Sequence, residues 1–167
     1  LLIAPTGSGK TLSGFLPSLI SLSNRQSNLS ADTKNKAEQT KRSLHTLYIS
    51  PLKALAVDVH RNLQTPITEM GLNISCETRT GDTRASKRNR QKSAPPDILL
   101  TTPESLELML AWPEAHTYFI NLKAIIIDEI HNIRMTDENK NKRVAQELNK
   151  LIKVAWAPIF EPESGPT

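Results

Sequence analysis

Lys123-Ala124-Ile125-Ile126-Ile127-Asp128-Glu129-Ile130-His131 sets four consecutive apolar residues directly before two carboxylates. A short unbroken aliphatic run between helical patterns marks a strand covered on both faces in a parallel sheet, because a half-exposed strand would alternate. Upstream, the same unit recurs. Asp97–Thr102 is an apolar strand followed by a helix over Pro103–Leu110, and Asn73–Thr80 is a strand followed by a basic helix over Thr83–Gln91. His45–Ser50 is a strand whose following helix, Leu52 to Leu63, carries Leu52, Leu55, Ala56, Val59 and Leu63 at helical period. This alternation predicts an α/β chain with a doubly wound, mainly parallel sheet and helices on both faces.

In such a sheet the strand-to-helix turns gather at the carboxyl edge, where ligands bind. Ser50-Pro51 and Thr102-Pro103 each follow a strand, with Ser or Thr suited to the N-cap and Pro to the first helical position. Near the start, Leu1-Leu2-Ile3 runs into Ala4-Pro5-Thr6-Gly7-Ser8-Gly9-Lys10-Thr11. Glycines let the backbone turn its N–H groups around a phosphate, and the helix N-terminus adds positive potential. Lys10 reaches the β- and γ-phosphates, and the Thr11 hydroxyl suits Mg²⁺. Ala4 stands where the strict GxxxxGKS/T pattern has Gly. A Gly-rich turn would explain the glycines alone; Lys and Thr after the last of them point to phosphate binding. Leu12, Phe15, Leu16, Leu19, Ile20 and Leu22 then recur at helical spacing over Lys10–Leu22, across Gly14 and Pro17. Residues 23–43 turn polar and read as a mobile loop.

At the other end of the motif set, Asp128 suits Mg²⁺ and Glu129 suits orienting or deprotonating an attacking water. An acidic pair after an aliphatic run is by itself often only the polar end of a strand. Combined with a phosphate loop it favours nucleotide hydrolysis over group transfer to a metabolite, whose hydroxyl acceptor needs no adjacent Glu.

The composition is compatible. A chain of 167 residues is the size of one domain and buries roughly 70% of its unfolded surface. The lone Cys76 permits no internal disulfide, and His45, His60, His116 and His131 are too scattered for a zinc site. No apolar run approaches the ~20 residues of a membrane span, so a soluble cytoplasmic protein without membrane contact is expected. The 21 Lys+Arg against 17 Asp+Glu give a net charge of +4, a weak tilt toward polyanions. Arg79, Arg84, Lys87, Arg88, Arg90 and Lys92 form one basic cluster and Lys140, Lys142 and Arg143 another; a solvated face is the simpler account of either. Trp112 and Trp156, among leucines, read as packing anchors rather than base-stacking platforms.

These blocks, taken in order, resemble the superfamily-two helicases of the DEAD/DEAH type. APTGSGKT (4–11) looks like motif I, SPLKALAVDVHRNL (50–63) like motif Ia, TRTGDT (78–83) carries the TG signature, ILLTTPESLELML (98–110) looks like motif Ib, and DEIH (128–131) like motif II. The phrases PLKALAVD, RTGDT, TTPESL and DEIH are similar to the large helicase-related (Lhr) family. The resemblance implies a RecA-like domain of an ATP-driven motor on single-stranded or partly duplex DNA, with 3′-to-5′ unwinding and DNA repair usual. It assigns ATP to residues 4–11, Mg²⁺ to Thr11 and Asp128, catalysis to Glu129, Asp128 and Lys10, and nucleotide-to-strand coupling to His131. Strand contacts fall to Pro51, Lys53, Arg61, Thr80, Gly81, Thr102, Pro103 and Glu104, with Arg79 as a further donor. Helix N-termini at Pro51 and Pro103 and nearby cations suit phosphates independently of the resemblance.

The resemblance also implies a second RecA-like domain that supplies an arginine finger. The expected organisation is therefore a truncated RecA-like domain over 1–154 and an irregular Pro-rich tail over 155–167. Two further readings stay open: a nucleic-acid-binding fragment without motor activity, or the domain of an RNA or hybrid helicase. An unrelated P-loop enzyme would require PLKALA, RTGDT and TTPES to be coincidental.

Overall fold

The computed structural model describes residues 10–31 and 42–128, together with 146 and 149–151. The elements are α1 (Lys10–Ala31), β1 (Thr46–Ile49), α2 (Lys53–Glu69), β2 (Cys76–Arg79), α3 (Ala85–Ser93), β3 (Ile98–Thr101), α4 (Pro103–Leu110), α5 (Ala115–Phe119) and β4 (Ala124–Ile127). The four strands form one parallel sheet in the order β2-β3-β1-β4.

Helices cover both faces, as the aliphatic runs predict. On one face Phe15, Leu19 and Leu22 of α1 and Ala56, Val59, Leu63 and Ile67 of α2 pack with Tyr48, Cys76, Ile98 and Leu100. On the other, Leu106 and Met109 of α4 and Ala115 and Phe119 of α5 pack with Leu47, Ile49 and Leu99. Successive residues of β1 and β3 thus feed opposite clusters, the period-two geometry of a strand with two buried faces. The run at 124–127 is only half-buried throughout, because β4 ends the sheet among the described residues. Ile126 joins the α1 face, and Ile125 and Ile127 the other.

Boundaries differ from the sequence reading at several elements: β2 is shorter than the expected 73–80, α3 lies two residues later than the expected 83–91, and three further differences have a local physical reason. First, α1 continues to Ala31, so residues 23–31, expected as loop, are helical. Polar residues cost a helix only tenths of a kcal/mol each, and extending a helix already anchored by Phe15, Leu19 and Leu22 avoids the nucleation cost. Residues 32–41 of that stretch, and nearly all of 129–167 with the tail and Trp156, lie outside the described residues. Second, α2 runs past Leu63 to Glu69, carrying Pro66 and burying Ile67. It closes with Gly71 at φ 62, whose N–H donates to Thr68 O while Leu72 N–H donates to Ile67 O. That left-handed pairing at a helix end favours glycine. Third, Pro51 is not the first residue of a helix. Ser50 still donates its N–H across the sheet to Thr101 O at 3.0 Å, so the chain leaves β1 later and α2 starts at Lys53. The matching expectation at Thr102-Pro103 holds: Thr102 caps α4 and Pro103 opens it. α5 has no counterpart among the elements expected from the sequence.

At the amino end of the sheet, His45 fixes α1 to β1. It is 7% exposed, with Nδ1 2.8 Å from Thr46 Oγ1 and Nε2 3.1 Å from Ser21 Oγ. Burial lowers its pKa, with the charge of Arg25 acting in the same direction. Folding therefore disfavours protonation. The stability due to neutral His45 is complete above its unfolded pKa of about 6.5 and is lost as the pH falls below that value. The urea midpoint of the chain should thus drop more between pH 7.5 and pH 5.5 than that of His45→Gln; equal drops would remove His45 as the cause.

Candidate functional site

The strand registers bring four motif blocks to one edge. Ile127, Ile49 and Thr101 are laterally aligned across β4, β1 and β3, and Thr101 is aligned with Arg79 on β2. Asp128, Ser50, Thr102 and Thr80 therefore leave the sheet side by side. Cross-bonds continue the ladder there: Asp128 N–H donates to Ile49 O at 3.0 Å and Ser50 N–H to Thr101 O at 3.0 Å. The Thr101 hydroxyl donates to Arg79 O at 2.7 Å.

α1 points its N-terminus at this edge. Gly14 faces Ile126, near the carboxyl end of β4, whereas Ser21 meets His45 at the amino end of β1. Lys10, the first residue of α1, thus lies toward the end where Asp128 emerges. An N-terminus so placed favours an anion. Asp128 is half-buried, and its Oδ2 accepts a 2.7 Å bond from the hydroxyl of Tyr48, which is 1% exposed. Tyr48 also packs on Phe15 of α1, ring centroids 5.5 Å apart. One side chain of β1 therefore touches both the acidic strand end and α1, the helix that follows residues 4–9. Ala4 to Gly9, Glu129 and His131 lie outside the described residues, as do the side chains of Lys10 and Thr11.

At the far end of the same edge an open groove of about 540 Å³ runs between α2 and the 80–84 turn. Lys53, Ala54 and Val57 line it from α2, and Thr80, Arg84 and Lys87 from the turn and α3. The turn is closed by two bonds: Thr80 N–H donates to Thr83 Oγ1 at 2.9 Å, and Thr83 N–H to Thr80 O at 3.1 Å. Lys53 bridges the groove mouth to Asp82 at 3.0 Å. Exposed pairs of this kind contribute roughly 0–1 kcal/mol.

Among the other predicted strand contacts, the structure separates surface from scaffold. Gly81 is exposed beside Lys53, and Pro51 is half-buried at the start of the turn into α2. Arg61 is exposed on α2 but outside the groove lining. Thr102 is 3% exposed and its hydroxyl accepts from Ser105 N–H at 3.5 Å, which makes it a cap rather than a surface donor. Pro103 is half-buried behind it. Glu104 is exposed in the first turn of α4, where a carboxylate complements the helix dipole.

Arg79, expected as a free donor, is 8% exposed. It donates to Arg88 O at 2.9 Å and to Gln91 Oε1 at 3.4 Å, and its guanidinium lies 4.7 Å from the centre of the Trp112 ring. Burial lowers its pKa. Arg79 therefore fastens α3 to the sheet, and Trp112 is the packing anchor expected, edge-on to Tyr118 at 5.3 Å. Most of the basic segment is likewise occupied internally. Arg90 and Lys87 reach Glu77 at 2.6 and 3.9 Å, and Lys92 reaches Glu114 at 3.0 Å. Burial pushes the Glu77 carboxyl up, but the bonds from Arg90 and Gln91 outweigh it and hold the group below the usual range. Burial also pushes the Cys76 thiol up to about 12, which keeps it protonated and unreactive.

A parallel, doubly wound sheet that collects these blocks at its carboxyl edge is a RecA-like domain. The chain belongs to the DEAD/DEAH box helicase family, whose model matches residues 1–158. It is 43% identical over 161 residues to the Lhr helicase/uracil glycosylase of Escherichia coli (strain K12), covering 90% of this chain and 10% of that protein. It is 35% identical over 165 residues to the ATP-dependent helicase Lhr-Core of Methanocaldococcus jannaschii, covering 93% of this chain and 18% of that protein. The solved structure of Mycobacterium smegmatis helicase Lhr bound to ssDNA and AMP-PNP superposes with a TM-score of 0.74 at 36% identity, over 93% of this chain and 19% of that one. The chain thus spans about a tenth to a fifth of the length of these relatives.

Removing the Tyr48 hydroxyl tests the link to the acidic strand end. Tyr48→Phe keeps the ring packed on Phe15 and deletes the bond to Asp128, and should cost about 1–2 kcal/mol in a urea melt. A loss under about 0.3 kcal/mol would show that the bond contributes nothing.

Proposed function

We propose that this chain is the first RecA-like domain of an Lhr-like, ATP-dependent helicase that translocates 3′-to-5′ on DNA, with DNA repair as its setting. The observation that carries the reading is the lateral alignment of Asp128, Ser50, Thr102 and Thr80 along one edge. Nucleotide chemistry belongs at the β4 end of that edge. Residues 4–11 would hold the phosphates of ATP, with Thr11 and Asp128 on Mg²⁺, which supplies charge neutralisation of the phosphates when bound. Oxygen donors are what that cation takes, and the Tyr48 bond to Asp128 Oδ2 holds one such carboxylate in place. Glu129 orients the attacking water, and His131 relays nucleotide state to the strand side. The similar Mycobacterium smegmatis helicase Lhr, bound to ssDNA and AMP-PNP, supports this assignment.

The strand belongs at the β2 end, against Lys53, Gly81 and Arg84. These groups address phosphates without reading bases, which suits a translocating motor. A second RecA-like domain closes over the same edge in the whole protein and supplies the arginine finger. Since that finger is worth ~10³–10⁵ in rate, this chain alone hydrolyses ATP very slowly.

Calorimetry with Mg-ATP and single-turnover ATPase assays test the reading. Binding heat should appear with this chain and vanish in Lys10→Ala, and single-stranded DNA should stimulate hydrolysis only in a chain extended through a second domain. Absence of any Mg-ATP heat removed by Lys10→Ala would defeat the nucleotide assignment. DNA-insensitive hydrolysis in the extended chain, or stimulation by RNA alone, would defeat the DNA-motor assignment.

A further inference from the structure

We propose that Asp82 is a competing counter-ion built into the strand groove: it occupies Lys53 in the free protein and must be displaced by a phosphate. The proposal rests on the groove being the strand site. Lys53 Nζ donates to both Asp82 oxygens, at 3.0 and 3.1 Å. The two side chains are 53% and 76% exposed. Both remain within reach of a ligand.

The surrounding turn is shaped to hold this pair. Lys53 lies along the turn itself: a Cβ on Gly81 would be in ordinary contact with it, 3.4 Å from Nζ. The Thr80–Thr83 bonds fix the backbone that carries Asp82, which keeps the carboxylate at the groove mouth. The competition is therefore a matter of one side chain exchanging partners, with no loop rearrangement. A weak, exposed ion pair is suited to that exchange, because a phosphate can replace the carboxylate as acceptor of the same ammonium hydrogens.

Salt dependence distinguishes a competitor from a bystander. Each strand phosphate neutralised by a free cation contributes a slope of about −0.7 in log K against log salt. When the phosphate instead takes Lys53 from Asp82, the carboxylate stays beside the bound strand, and its charge cancels much of that of Lys53. The Lys53 contact then adds little to the slope. Without the carboxylate the contact counts in full.

Titrating the 167-residue chain with fluorescent oligo-dT at a series of salt concentrations, by anisotropy, tests this. Asp82→Asn should tighten binding about two- to fivefold at low salt and steepen the slope by about 0.7. Measured against Lys53→Ala alone, Asp82→Asn in the Lys53→Ala background should give no gain. Unchanged or weaker binding by Asp82→Asn would show that Asp82 positions Lys53 rather than competing for it. A gain that survives Lys53→Ala would trace to general charge and overturn the pairing. Wild-type chain that binds no oligo-dT at the lowest salt would overturn the groove assignment itself, and the proposal with it.

Discussion

The lateral alignment of the parallel strands is the constraint on which the rest depends. A parallel pair has no hairpin to set its register; side-chain burial must do it, because a one-residue slip exchanges the two faces of the strand. Here Leu47 and Ile49 enter one core while Tyr48 enters the other, so a slip of β1 would bury Tyr48 on the wrong side and withdraw its hydroxyl from Asp128. The same packing that selects the register thus places the acidic strand end. Thr101 extends this control to the far side, since its carbonyl accepts from Ser50 and its hydroxyl donates to Arg79 O.

Much of this is legible in the sequence because it is periodic. The aliphatic runs in β1, β3 and β4 and the spacing of Ala56, Val59 and Leu63 depend on neighbours a few residues away, and they predict strands, helices and their alternation correctly. What is not legible depends on distant partners. Arg79 looks like a free cation because Trp112, far along the chain, is invisible from its own neighbourhood. Tyr48 looks like an ordinary strand residue because Asp128 is 80 positions away. Ser50 looks like an N-cap because its ladder bond to Thr101 is a tertiary contact. Residues lining the groove are half-visible: Arg84 and Lys87 follow TGDT at helical spacing, but nothing local shows that they face Ala54 and Val57.

The charge pattern acquires a different meaning once partners are known. In the sequence a basic cluster at 79–92 reads most simply as a solvated face, with a surface that attracts polyanions as the alternative. Instead Arg79 is buried, Arg90 serves Glu77 and Lys92 serves Glu114, so these cations hold α3 and its surroundings together. The net charge of +4 is correspondingly a poor guide to where a polyanion would lie. Local pairing matters more than the total, and the groove itself carries carboxylates, Asp58 and Asp82, beside its cations. A mixed lining lowers the non-specific attraction of a polyanion to this part of the surface.

The two ends of the carboxyl edge are separated by three strand spacings, about 14 Å. That distance is too long for direct contact and too long for strong Coulombic coupling in water, where screening acts over about 10 Å. Any communication between them must pass through the covalent and hydrogen-bonded frame. β1 is the element suited to it. Its Tyr48 touches Asp128 and Phe15, Ser50 at its end is bonded to β3, and the turn after it leads within three residues to Lys53 at the groove mouth. A shift of α1 or of Asp128 would therefore bear on β1 and on the start of α2, which lines one side of the groove, whereas β2 and α3, fastened by Arg79 and Glu77, form the other side.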